Sequence, residues 1–192
     1  MKKLSYLLIV VGLCIVVYAV WEIVDTKMQT SKSLDQAKAI IESPPSKEVY
    51  KEADGTFKPP MGEAVGILQI PRLNADLPIV EGTDPDDLEK GVGHYKGSYY
   101  PEEKGQIVLS GHRDTVFRKA GELEIGDSLE IVLPYGNFEY EITETKIVKS
   151  DDLSIITLQN EKEELLLTTC YPFSYVGNAP ERYIIYAKKK TV

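Results

Sequence analysis

The chain has 192 residues, 43% hydrophobic and 27% charged, with a net charge of −8 and an isoelectric point near 4.9. That is apolar material for one core plus accessory segments, and the acidic balance excludes the basic footprint of a nucleic-acid-binding domain. No internal period points to a repeat architecture.

From Leu4 to Trp21 the sequence carries no charge. As a helix these eighteen residues would run about 27 Å, close to the roughly 30 Å hydrocarbon core of a bilayer. Tyr6, Tyr18 and Trp21 lie toward its ends, where aromatic rings favour the membrane interface. Lys2 and Lys3 precede it and Glu22 and Asp25 follow it, which favours a cytoplasmic N-terminus and an exported remainder. A cleaved signal peptide would have a shorter apolar run and small residues at its cleavage site. Ala19 is instead flanked by Tyr18 and Val20, so residues 1–24 read as an uncleaved transmembrane signal-anchor.

Residues 25–43 are polar good helix formers in which Leu34, Ala37, Ile40 and Ile41 recur at helical spacing. They predict a membrane-proximal helix. Pro44, Pro45, Pro59 and Pro60 then bracket a charged, glycine-containing linker. Residues 25–60 are thus helix and linker, and the globular domain is expected over 61–192.

Short apolar runs dominate that domain. Ala64–Ile70 and Asp76–Val80 read as strands divided by Pro71-Arg72-Leu73-Asn74. Thr83-Asp84-Pro85-Asp86-Asp87 reads as a short helix start, with proline in the first turn and acids near the positive end of the dipole. Gly91 and Gly93 end it, and His94 falls in this glycine-rich loop. Gln106–Ser110, Ser128–Leu133, Phe138–Val148, Leu165–Thr169 and Arg182–Lys188 complete the strands, with a hairpin signal at Pro134-Tyr135-Gly136-Asn137. Many short strands separated by turns indicate an all-β sandwich or closed barrel, and closure also removes exposed edges.

The strand "LLLTTC" ends on Cys170, whereas the other cysteine, Cys14, lies in the apolar span. The two are on different sides of any membrane boundary, so Cys170 has no disulfide partner within the exported domain, where cysteines usually pair. It is a reactive thiol, an intermolecular bridge or a passive buried residue. A nucleophilic cysteine needs help to ionise, because a free thiol has a pKa near 8.5, and the help is a histidine or a cation. His94 and His112 are the two histidines, and Arg72, Arg113, Arg118 and Arg182 the four arginines. His112 directly follows an apolar strand at a glycine turn, where a rigid scaffold presents reactive groups. Arg182 opens the strand that follows Cys170 across a Gly177-Asn178-Ala179-Pro180 turn, so the two strands are expected to be neighbours. A guanidinium there suits a developing oxyanion; the plainer alternative is a surface arginine paired with an acid.

Leu109-Ser110-Gly111-His112-Arg113-Asp114, Leu167-Thr168-Thr169-Cys170 and Glu181-Arg182-Tyr183 together resemble the sortases, membrane-anchored cysteine transpeptidases of Gram-positive bacteria. The resemblance runs from about Met61 to the end, and the anchor fits it. One departure is Leu166, standing where the family's Thr-Leu-x-Thr-Cys signature usually has its first threonine. The stretches SGHRDT and TTCYPF look most like the class D sortases of spore-forming bacteria. The resemblance implies an all-β, closed barrel of about eight strands with short helices, carried on the N-terminal transmembrane helix. It implies that Cys170 attacks the threonine carbonyl of a C-terminal sorting signal similar to Leu-Pro-x-Thr-Gly and forms a thioester. His112 would protonate the leaving amine, Arg182 would hold the oxyanion or the substrate backbone, and Thr169 would adjoin the substrate. An amino group of a cell-wall peptidoglycan precursor would then resolve the thioester. The partners implied are secreted proteins bearing the signal, the precursor amine and the membrane, with the catalytic domain extracellular. Some sortases use calcium. The acidic residues Glu102, Glu103, Glu161, Glu163 and Glu164 read as a solvated surface, so neither metal nor cofactor is assigned, and His94 is read as structural.

Two other classes compete. One is a non-enzymatic, membrane-tethered β-domain that binds wall components around an inert Cys170. The other is a Cys-His peptide hydrolase, which releases its acyl group to water. A thiol-disulfide oxidoreductase would want Cys-x-x-Cys, and Cys170 has no such neighbour.

Overall fold

The computed structural model describes residues 2–43, 57–174 and 177–190. The linker expected between Pro44 and Pro60 lies mostly outside them. A single helix, α1, runs over Lys2–Glu42, 41 residues and therefore about 60 Å. It is long and apolar enough to cross a membrane, with mean hydropathy 2.7 in its apolar window. Leu4 to Val24 present their apolar side chains outward all round the axis, as a span solvated by lipid does.

Beyond Val24 the same helix becomes amphipathic. Ser33 and Ala37 are buried, and Thr30, Leu34 and Ile41 are partly so, forming a stripe of three- and four-residue steps. The stripe docks on the barrel wall: Ala37, with Leu34 and Ile41 beside it, packs against Ala64, Ile67 and Val132. The Thr30 hydroxyl donates to the Glu89 carbonyl at 3.2 Å. The anchor and the membrane-proximal helix, distinct in the sequence reading, are one rod, because neither glycine nor proline interrupts residues 13–42.

Eight strands close a barrel: β1 (Ala64–Ile70), β2 (Ala75–Glu81), β3 (Val92–His94), β4 (Gln106–Gly111), β5 (Ser128–Leu133), β6 (Gly136–Lys149), β7 (Glu164–Tyr171) and β8 (Glu181–Lys189). The order around the ring is β1-β2-β3-β4-β7-β8-β6-β5, and β5 closes it by pairing with β1, Leu68 opposite Ile131. Pairing is antiparallel except for β2 with β3 and β4 with β7, which run parallel. The short helix α2 covers Pro85–Leu88.

Alternation along the strands fills the interior. Leu68, Ile107, Leu109, Leu129, Ile131, Ile142, Leu165, Leu167 and Ile185 form one buried cluster. Phe57 belongs to it, 8% exposed and edge-on to Tyr100 at 4.8 Å between centroids, so the packed core recruits a residue ahead of the expected start at Met61. The intervening residues Val108, Leu166 and Ile184 form a second cluster on the outer wall of β4, β7 and β8. Ile155, Ile156 and Leu158 from the β6–β7 connection cover it. Gln106, 1% exposed, holds that connection by donating to the Ile155 carbonyl at 3.0 Å and accepting from the Thr157 N–H at 2.9 Å.

Candidate active site

Of the three residues singled out in the sequence, Cys170 lies on β7 and Arg182 on β8, and His112 directly follows β4. Parallel pairing sets Ser110 beside Thr168 and Gly111 beside Thr169, so His112 and Cys170 are the next positions along. Antiparallel pairing sets Cys170 directly opposite Arg182. His112, Cys170 and Arg182 therefore form one row across β4, β7 and β8, with neighbouring chains about 5 Å apart. The row lies at one end of the outer wall, beyond the apolar patch of Val108, Leu166 and Ile184. β7 is the fourth neighbour of β1 in a ring of eight, so the row faces away from the wall on which α1 docks.

Local chemistry explains why β4 ends where it does. A Cβ on Gly111 would come within 2.7 Å of the Phe117 ring and of Val116, so only glycine admits this packing under the turn. The Phe117 N–H closes the turn on the His112 carbonyl at 3.0 Å. Across the row, Cys170 is partly buried. Arg182 is held by one guanidinium nitrogen, which donates to the carbonyls of Ala179 at 3.3 Å and Glu181 at 3.0 Å. No carboxylate pairs with it among the described residues, which removes the main support for the surface ion-pair alternative.

Thr169 is placed differently from Cys170. It is 5% exposed, its side chain on the interior-facing set of β7 positions with Leu165 and Leu167. Its hydroxyl donates to the Gly111 carbonyl at 2.8 Å. That bond ties the end of β7 to the end of β4, one residue before Cys170 and His112.

His94 is apart from the row. It closes β3, a three-residue strand where the sequence suggested a loop. The glycines that argued against a strand are what permit it: a Cβ on Gly93 would lie 2.3 Å from the Gly82 carbonyl oxygen. The imidazole is 1% exposed, and its Nδ1 lies 2.7 Å from Oε2 of buried Glu81. Its Nε2 lies 3.0 Å from both the Tyr99 carbonyl and the Ser98 hydroxyl. The Tyr100 hydroxyl donates to the same Glu81 oxygen and its ring stacks on the imidazole at 4.0 Å. Burial first, then the charge and hydrogen bond of Glu81, push the Tyr100 phenol well above its usual value, so it remains a donor. Both imidazole nitrogens are thus occupied inside the fold.

An aromatic group that sequence reasoning did not single out borders the row. Tyr171, Phe173 and Tyr183 pack mutually, with centroids 5.4 to 6.0 Å apart. Among the described residues no group of three or more His, Cys, Asp or Glu is arranged to hold a metal ion.

The family model for the sortase domain matches residues 68–190, which takes in every strand from β2 to β8. The chain is 60% identical to Sortase D of Bacillus subtilis (strain 168) over 204 aligned positions, covering all of both proteins. It is 25% identical over 189 residues to Sortase SrtE1 of Streptomyces coelicolor, covering 89% of this chain and 53% of that protein. Among solved structures, a Clostridium perfringens Sortase D5 transpeptidase superposes with a TM-score of 0.73 at 24% identity, over 85% of this chain and 99% of that one. The catalytic domain of B. anthracis SrtD gives 0.58 at 42% identity, over 69% and 90%. With a domain match across the barrel and a relative this similar over both full lengths, the chain belongs to the sortase family and is a cysteine transpeptidase.

Proposed function

We propose that this transpeptidase cleaves a C-terminal sorting signal of the Leu-Pro-x-Thr-Gly kind after its threonine and joins the threonine carbonyl to an amino group of a peptidoglycan precursor. The observation that carries the reading is the row formed by Cys170 and Arg182, paired across β7 and β8, and His112, one residue beyond the β4–β7 pairing. Cys170 Sγ, as thiolate, attacks the threonine carbonyl carbon. The tetrahedral intermediate collapses by breaking the C–N bond to glycine, and the leaving amine takes a proton from His112. The resulting thioester is attacked by the incoming amine, which gives its proton back to His112, and Cys170 is released as thiolate. Thr169 acts through the strand end it fixes rather than on the substrate.

The test is intact-mass analysis of the full-length chain in detergent with sorting-signal peptides and an amine acceptor. An acyl adduct that passes to the amine is expected. Release only to water would make the enzyme a hydrolase, and no adduct with any peptide would favour the non-enzymatic wall-binding reading.

Arg182 is proposed to hold the oxyanion of the tetrahedral species. One nitrogen is already committed to backbone carbonyls, which orients the planar fork and leaves its other donors for substrate. Removing one such donor costs on the order of 100- to 1000-fold in turnover. Lysine keeps the charge and loses the fork, so Arg182→Lys is expected to fall close to Arg182→Ala. Recovery by lysine in steady-state turnover would mean that charge alone suffices.

The apolar part of α1 is proposed to span the cell membrane with the N-terminus inside, because Lys2 and Lys3 precede it and acids follow it. The clients would then be secreted proteins meeting the enzyme outside. Protease added to wall-stripped cells is expected to digest the barrel, and full protection would reverse the orientation.

A further inference from the structure

Arg113 directly follows His112, yet its side chain reaches away from β4. One guanidinium nitrogen donates to the Pro172 carbonyl at 3.2 Å and another to the Gly177 carbonyl at 2.8 Å. Both acceptors belong to the β7–β8 connection, which starts two residues after Cys170 and ends two residues before Arg182. Gly177 has φ of +99°, a conformation natural to glycine, and its carbonyl takes the shorter of the two bonds. A second contact joins the same segments: a Cβ on Gly121 would come within 2.7 Å of the Phe173 ring. The segment that leaves His112 and the connection that separates Cys170 from Arg182 are therefore fastened together by one polar fork and one apolar contact.

We propose that Arg113 is a positioning residue that clamps the β7–β8 connection to the His112 turn and so shapes the surface on which the sorting-signal peptide lies. Two carbonyls on one strand-to-strand connection are met by two nitrogens of one planar group. A single ammonium cannot reproduce this, because it is a point donor on a flexible stem. Two of its guanidinium nitrogens donate to backbone oxygens on the connection, so the effect proposed for it falls on substrate binding rather than on ionisation of the thiol. This rests on the proposed thioester chemistry at Cys170, and the experiment separates the two.

Single-turnover acylation of the full-length chain in detergent is measured with a fluorogenic Leu-Pro-x-Thr-Gly-type peptide. Alkylation of Cys170 by iodoacetamide is followed against pH on its tryptic peptide. Arg113→Ala is expected to raise the half-saturating peptide concentration about tenfold or more, with a smaller loss in the saturating rate. Arg113→Lys, the variant least disturbing to the fold, is expected to lie nearer alanine than wild type. The alkylation profile is expected to stay unchanged in both. Wild-type half-saturation in Arg113→Ala, full rescue by lysine, or a shifted alkylation profile would each overturn the clamp. If Cys170→Ala still acylates, the nucleophile reading fails. If it is dead while Arg113→Ala behaves as wild type, the clamp alone fails.

Discussion

Cys170→Ala is expected to leave the chain folded and to remove the acyl adduct completely. The ladder around Cys170 is made by backbone: Thr169 pairs with Tyr183 and Tyr171 with Glu181 whether or not a thiol lies between them. The side chain is only partly buried, so truncating Sγ forms no closed cavity, and the stability cost is expected to be below about 1 kcal/mol. The chemical cost is of a different order. Alanine offers no nucleophile, and losing the nucleophile of a triad-like site lowers turnover by roughly 10⁴-fold or more. Cys14 cannot substitute, because it sits on the apolar length of α1, remote from the row. Intact mass after incubation with peptide reads the adduct, and thermal unfolding reads the fold. An adduct on the alanine variant would mean that another group acylates.

Much of the fold was legible because the strands are half-buried: Ala64–Ile70 and Ser128–Leu133 announce themselves by apolar content and flanking turns, and the structure reproduces them. β3 was not legible. Its three residues contain one glycine and follow another, and its strand character comes from close backbone approach to Gly82 rather than from side-chain alternation. The continuity of α1 was written in the sequence as an absence of glycine and proline from residue 13 to residue 42, although the change from all-round apolar to amphipathic composition suggested two elements. The parallel pairing of β4 with β7 lay beyond local reading, since nothing near Gln106 specifies a partner at Glu164. In the site, order and residue type pointed to His112, Cys170 and Arg182, and the row brings their backbone positions together. The resemblance implied that Thr169 adjoins the substrate; in the fold, strand alternation turns its side chain inward, where its hydroxyl donates to the Gly111 carbonyl. Arg113 was legible as one of four arginines and as part of the motif around His112, but its bonds to the Pro172 and Gly177 carbonyls were not, because any sequence possesses such acceptors.

His112→Ala and His94→Ala are expected to fail in opposite ways. His112 directly follows β4, whose last residue Gly111 pairs with Thr169, and lies at a partly exposed turn, where it would exchange protons with both leaving and incoming amines. Loss of a positioned general acid–base costs on the order of 10²- to 10⁴-fold, and the two proton transfers of each cycle put the expectation at the upper end. The melting temperature should scarcely change. His94 is the reverse case. Its imidazole fills a buried site between Glu81, Ser98 and the Tyr99 carbonyl, and removing it strands the Glu81 carboxylate with Tyr100 as its remaining donor. Leaving a buried hydrogen-bonding group without its partner costs about 1–3 kcal/mol, enough to lower the unfolding midpoint in a marginally stable domain. Below that midpoint, the folded fraction should turn over at close to the wild-type rate, because the hydrogen bonds of His94 go to Glu81, Ser98 and Tyr99 and to none of His112, Cys170 and Arg182. Rates normalised to folded protein, measured beside thermal unfolding at low temperature, separate the two. Equal normalised losses at His94 and His112 would show that the buried network acts on the chemistry, and that the choice between the two histidines was wrong.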